Sequence, residues 1–189
     1  MLNALKKCLK NEKRDKTLFD AILFGSAVKG RYKPRDVDII LIHTSGSLAE
    51  RLDKLQAVKE KIRAALEGVE LDAHTVLLHQ LFEPAFFARS GVFLEGISLL
   101  DGKPLSHKMG FKAYSLFTYT LEKLSHTKKV TFNYLLAGRG TLKGIIAECH
   151  GERLVSGAVK IPIEKSIEFE DVLKMHKINY KKKNILEEL

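Results

Sequence analysis

Two cysteines in 189 residues, Cys8 and Cys149, are too few and too far apart for a disulfide framework or a thiolate zinc site. Both read as ordinary thiols. No apolar run approaches the length of a membrane span. The first residues, Met-Leu-Asn-Ala-Leu-Lys-Lys-Cys-Leu-Lys, lack a continuous apolar stretch with a cleavage site. The expectation is a cytoplasmic protein with no membrane partner. Repeats and low-complexity tracts are also missing, so the chain reads as globular. What is present is a 45% hydrophobic content, enough for one generous domain or two small ones, and a net charge of +9 with a pI near 9.5. A basic surface favours polyanions, either a nucleic-acid backbone or the phosphates of a nucleotide. The excess leans toward the C-terminal part, where residues 105–189 hold 15 Lys+Arg against 9 Asp+Glu, compared with 17 against 14 in residues 1–104.

The most informative stretch is Asp20-Ala-Ile-Leu-Phe-Gly-Ser-Ala-Val-Lys-Gly-Arg-Tyr-Lys-Pro-Arg-Asp-Val-Asp-Ile-Ile-Leu-Ile42. Ala21 to Phe24 has the length of a buried strand, and Gly25-Ser26 ends it with a sterically free residue and a hydroxyl. With Ser26 as an N-cap for a following helix, the backbone N–H groups beyond the glycine would point outward and hold an anion such as a phosphate. Asp36-Val-Asp38 then leads into Ile39-Ile-Leu-Ile42. Residues i and i+2 of a strand share a face, so Asp36 and Asp38 project together while Val37 and Ile39 project the other way. Two adjacent carboxylates raise each other's pKa unless a cation lies between them, and hard ions such as Mg²⁺ take carboxylate and phosphate oxygens. Gly25 to Gly30 also has the glycine spacing of a P-loop, but Arg31 and Tyr32 stand where the lysine and the metal-binding hydroxyl belong, which argues against that fold.

Gly25-Ser26, nine intervening residues and Asp36-Val-Asp38 within apolar strand residues resemble the signature of the nucleotidyltransferase superfamily with the DNA polymerase beta-type catalytic fold, particularly its small archaeal and bacterial members. The resemblance implies that Gly25 and Ser26 hold the phosphates of a nucleoside triphosphate. It also implies that Asp36 and Asp38 bind divalent metal, Mg²⁺ or Mn²⁺, and that a third carboxylate comes from a later strand. One departure is Arg35, where many small members carry a serine.

Taken in order, residues 2–16 read as a basic amphipathic helix with Leu2, Leu5 and Leu9 at helical spacing, covering a sheet edge. Leu48 to Leu66 carries apolar residues at 48, 52, 55, 58, 62 and 66, a helical stripe that Gly68 would terminate. Val69 to Val76 alternates as a strand, with Glu70, Asp72 and His74 on one face. Asp72 is the expected third carboxylate, by resemblance to the family, and Glu70 the reserve. His74 and His79 receive no catalytic role. Residues 79–89 suggest a helix interrupted near Pro84, residues 97–100 a short strand, and residues 101–110 a linker with the domain junction after residue 104. Beyond it, Tyr114, Phe117, Leu121 and Leu124 fall on one face of a helix, and Val130 to Ala137 forms a second, ended by Gly138. A third apolar segment covers 142–147. Ala158 to Ile163 reads as an edge strand because of Pro162, Phe169 to Met175 as a helix, and Ile178 to Tyr180 as a last strand. Lys128, Lys129, Arg139, Lys143 and Lys181 to Lys183 supply a basic surface.

The expected architecture is α/β (α+β): a mixed-sheet nucleotidyltransferase catalytic domain over 1–104, followed by a smaller α+β domain over 105–189 that recognises an acceptor or partner. The expected reaction is metal-dependent transfer of a nucleoside monophosphate from an NTP to a hydroxyl on RNA, protein or a small molecule, with release of pyrophosphate. Asp36 and Asp38 would carry the metals, with Asp72 completing one site and helping to deprotonate the acceptor. Lys29, Arg31 or Lys33 would offset triphosphate charge. Two other classes remain open. One is an antitoxin-like protein that binds, or modifies a tyrosine of, a toxin-like helical partner. The other is a nucleotide-sensing regulator that binds nucleic acid.

Overall fold

The computed structural model describes residues 1–28, 36–66, 68–86 and 88–189, which form two units, Met1–Met109 and Gly110–Leu189. Both units are α+β, the first on a mixed sheet and the second on an antiparallel one. No described helix is long and apolar enough to cross a membrane.

The first unit opens with α1, Leu2–Cys8, followed by a separate 3₁₀ turn at Lys10–Arg14. The single helix expected over 2–16 is therefore broken at Leu9. Leu5 and Leu9 are buried in a cluster with strand and helix residues, so this segment packs on a sheet face, not an edge. Strands β1, Leu18–Phe24, and β2, Asp36–His43, pair antiparallel. Both are buried on both faces, which is why they read as nearly continuous apolar runs.

Ser47 starts α2, Leu48–Ala65, with a capping box in which its hydroxyl accepts the Glu50 N–H while the Glu50 carboxylate accepts the Ser47 N–H. The helix ends at Leu66 in extended conformation, and Gly68, with φ +73°, comes two residues after that cap instead of forming it. Strand β3, Glu70–Leu77, then returns parallel to β2.

A 3₁₀ turn at Leu78–Phe82 and a π-helical turn at Gly91–Glu95 replace the helix expected over 79–89. Strand β4, Ile97–Ser98, completes the order β3-β2-β1-β4. Alternate side chains divide between two clusters. Ala21, Leu23, Val37, Ile39, Leu41 and Ala73 join Leu55, Val58 and Ile62 of α2 on one face. Ile22, Ile40 and Ile42 meet Leu81, Val92 and Leu105 on the other.

The stretch expected as a linker belongs to this unit. It contains α3, Leu105–Lys108, with Leu105 and Ser106 buried. The Lys108 ammonium pairs with the fully buried Asp20 and, at 2.9 Å, with Asp101. Ser98 Oγ donates to Asp20 Oδ1 at 2.7 Å. The units accordingly divide between Met109 and Gly110, not after residue 104.

In the second unit the helix expected over 114–124 is instead β5, Phe111–Thr120. The segment is rich in Phe, Tyr and Thr, and its buried residues Ala113, Ser115 and Phe117 recur at period 2. Helix α4, His126–Ala137, begins four residues before the expected Val130 and ends at Gly138 as expected, where a φ of +88° favours glycine. A small hairpin of β6, Gly138–Arg139, and β7, Leu142–Lys143, precedes α5, Ile145–Glu148. Strands β8, Glu152–Val155, and β9, Ala158–Pro162, follow, then α6, Ser166–Met175, and β10, Asn179–Glu188.

The sheet order is β10-β5-β9-β8, which makes β9 an interior strand. Pro162 is tolerated at its last position because β8 pairs only with Ala158 to Lys160. Phe117, Val159 and Ile161 meet Phe132, Leu136, Ile146, Phe169 and Leu173 in a single core.

Candidate active site

Parallel pairing of β2 with β3 sets Asp36 opposite Glu70 and Asp38 opposite Asp72. Adjacent strands lie roughly 4.8 Å apart, so these acidic residues form a compact patch at the start of both strands. They occupy the face that carries Ile40 and Ile42 further along β2. There the sheet is covered by Leu81, Val92 and Leu105, whereas Asp36 and Asp72 are exposed. The same alternation that buries Val37 and Ile39 thus brings the carboxylates to one surface.

The turn after β1 completes the patch. Phe24 pairs with Asp38, and Gly25 follows with φ +75°, a conformation that L side chains rarely adopt. A Cβ on Gly25 would lie 2.1 Å from Asp38 Oδ2, so any other residue here would strain the backbone and push that carboxylate aside. Ser26 is the middle residue of the 3₁₀ turn Gly25–Ala27, and the helix expected beyond it lies largely outside the described residues. Its hydroxyl instead donates to Asp36 Oδ1 at 3.0 Å, holding that side chain against the turn.

Asp38 feels the electrostatics of this arrangement most. Partial burial pushes its carboxyl above the ordinary aspartate pKa, and the negative charges of Asp36 and Asp72 add to the effect, with His74 opposing. His74 Nε2 lies 3.0 Å from Asp72 Oδ1. His74 is therefore part of the acidic patch, although no catalytic role was expected of it. The signal was present in the i, i+2 spacing that puts it on the same strand face as Asp72.

As the side chains stand, no three His, Cys, Asp or Glu residues among the described ones form a ready metal cage. The donor set is nevertheless that of a hard divalent ion: carboxylate oxygens from two adjacent strands, with Asp38 held in mutual repulsion that a cation would relieve. On this chemistry the residues fit such an ion. Of the expected nucleotide contacts, Gly25 and Ser26 lie beside the carboxylates, while Lys29 and Arg31, with Lys33, lie outside the described residues. No protein-family model matches the chain, and no curated protein matches it.

Proposed function

We propose that the first unit is a nucleotidyltransferase-type catalytic domain. It would transfer a nucleoside monophosphate from an NTP to a hydroxyl acceptor. The observation that carries this is the register of β2 on β3, which sets Asp38 against Asp72 beside a glycine turn that has room for the Asp38 carboxylate. A purely structural surface gains nothing from desolvating one aspartate next to two others.

In this reading Asp36, Asp38 and Asp72 hold Mg²⁺ or Mn²⁺. Bound there, the metal would offset triphosphate charge and ease deprotonation of the acceptor. The chain's own side chains do the rest. Ser26 holds Asp36 in place through its hydroxyl, and the Gly25-Ser26 turn faces the triphosphate. Asp72 accepts the acceptor's proton, oriented by its contact with His74. The acceptor oxygen forms a bond to the α-phosphorus, the bond to the bridging oxygen breaks, and pyrophosphate leaves with that electron pair.

The test is incubation of the protein with each α-labelled NTP, Mg²⁺ or Mn²⁺ and a cell extract containing RNA and protein, beside the Asp36→Asn/Asp38→Asn double variant. Label on one macromolecule with the wild type alone is the expected result, and it also identifies the base and the acceptor class. Equal labelling by the double variant, or NTP binding indifferent to both metal and variant, overturns the proposal. Exposed Lys128, Arg139, Lys143, Lys181 and Lys183 in the second unit favour one alternative, a nucleotide-sensing nucleic-acid binder. That alternative predicts RNA or DNA binding with a steep salt slope and no dependence on the two aspartates.

A further inference from the structure

At the opposite end of β2 from the carboxylates, the strand runs out at His43, and residues 44–47 turn into α2. A cavity of about 290 Å³ lies there, lined by Thr17, Ser45, Gly46, Glu50, Arg51 and Lys54. Asp36 and His43 are the first and last residues of β2, so this cavity is roughly 23 Å from the acidic patch at 3.3 Å per residue.

Its unusual feature is Arg51. The residue is only 8% exposed, its Nε has no hydrogen-bond partner, and among the described residues no carboxylate pairs with it. Next to it, His43 is 1% exposed, and neither ring nitrogen makes a well-formed hydrogen bond. Burial, then the charges of Lys54 and Arg51, push that imidazole below its ordinary pKa, against opposing pulls from Asp15 and the Thr17 backbone. Buried polar groups are almost always satisfied, and a buried guanidinium without a counter-charge calls for an anion.

The nearby acids do not supply one. Asp15 is engaged by Lys54 at 2.5 Å and by the Thr17 hydroxyl at 2.8 Å. Glu50 is turned back onto the Ser47 N–H at 2.7 Å and hydroxyl at 2.9 Å. The remaining features also favour an anion. Helix α2 has eighteen residues, and with the Glu50 N–H taken by the Ser47 hydroxyl, the Leu48 and Ala49 N–H groups are left at its electropositive end. Gly46, at φ +115°, lines the cavity, and a Cβ added there would lie 3.6 Å from Glu50 Oε2 and 3.7 Å from Arg51 Cγ.

We propose that this cavity is a binding site for a small oxyanion, with Arg51 as the principal recognition group. A guanidinium takes phosphate and carboxylate groups alike, in a fork-like geometry. The proposal is independent of nucleotidyl transfer, and its test contains no nucleotide.

The experiment is thermal denaturation and amide NMR of the full chain, titrated with inorganic phosphate and separately with malonate, at ionic strength held constant with sodium chloride. Expected is a saturable rise in melting temperature, with shifts at the Ser45, Gly46 and Arg51 amides. Phosphate acting alone identifies a tetrahedral ligand and malonate alone a carboxylate. Arg51→Met should weaken apparent affinity by at least about tenfold. Ser45→Asp, at an exposed loop position, should supply an internal carboxylate, raise the ligand-free melting temperature and abolish the response. This second variant decides the matter should Arg51→Met fail to fold. A response no greater than that of chloride overturns the proposal. So does an unchanged response in Arg51→Met, or in Ser45→Asp.

Discussion

Replacing Gly25 by alanine tests the construction of the acidic patch directly. The backbone at φ +75° costs an L residue about 1–2 kcal/mol. The new Cβ would also lie 2.1 Å from Asp38 Oδ2, an overlap that neither atom can absorb in place. The carboxylate is the far end of a half-buried side chain, so Asp38 swings aside at about 0.5–1.5 kcal/mol, the cost of an off-rotamer side chain. The expected total for Gly25→Ala is about 1.5–3.5 kcal/mol, a sizeable share of the roughly 5–15 kcal/mol that stabilises a typical domain. Only the backbone part should survive once Asp38 is also alanine, because the remaining contact, to Asp38 Cβ at 3.5 Å, is ordinary van der Waals packing. A double-mutant cycle over Gly25→Ala and Asp38→Ala should therefore give a coupling of about 0.5–1.5 kcal/mol. The chain has no tryptophan, so urea unfolding of this unit is best followed through the amide signals of Ile22 and Ile40 in β1 and β2. Additivity within about 0.3 kcal/mol would refute the idea that the glycine makes room for the carboxylate.

Asp38 should also write itself into the pH dependence of stability. Burial and the charges of Asp36 and Asp72 raise its pKa in the folded state, so the native protein holds that proton more tightly than the unfolded chain. Its contribution is fully present below the ordinary aspartate pKa and is lost as pH rises through the raised value. Asp38→Asn should flatten that fall, and Mg²⁺ should stabilise the wild type at neutral pH more than the variant; identical pH profiles for the two proteins would contradict this. Lys108→Ala should destabilise the first unit by about 3–5 kcal/mol, because the fully buried Asp20 would keep only the Ser98 hydroxyl and the Ala21 N–H. A loss below about 1 kcal/mol in urea unfolding would mean that residues 101–110 behave as the linker their composition suggests.

Much of the first unit was legible because its signals are local. The apolar run before Gly25, the alternation through Asp36-Val-Asp38 and the helical stripe from Leu48 to Leu66 each depend on residues within a few positions of one another. The second unit was less legible. Tyr114, Phe117, Leu121 and Leu124 satisfy a helical spacing, yet the pairing of Phe117 with Val159 and Lys182 makes the segment a central strand. Partners more than forty residues away decided between two periods that the segment itself allowed.

The sequence by itself determined which face of β2 carries Asp36 and Asp38, since a strand's side chains alternate whatever lies next to it. Only the tertiary structure decided what meets them. Register between β2 and β3 sets Asp72 against Asp38, and the turn geometry brings Gly25 against the same carboxylate. The same holds for α2. Its apolar residues at 48 and 52 are 60% and 48% exposed, while Arg51 continues the buried line of Leu55, Val58 and Ile62. Helical period defines a stripe but not its angle to the sheet. That angle comes from packing against β3 and α1 over the core shared with β1 and β2, and it is what buried a charged side chain at the helix's first turns.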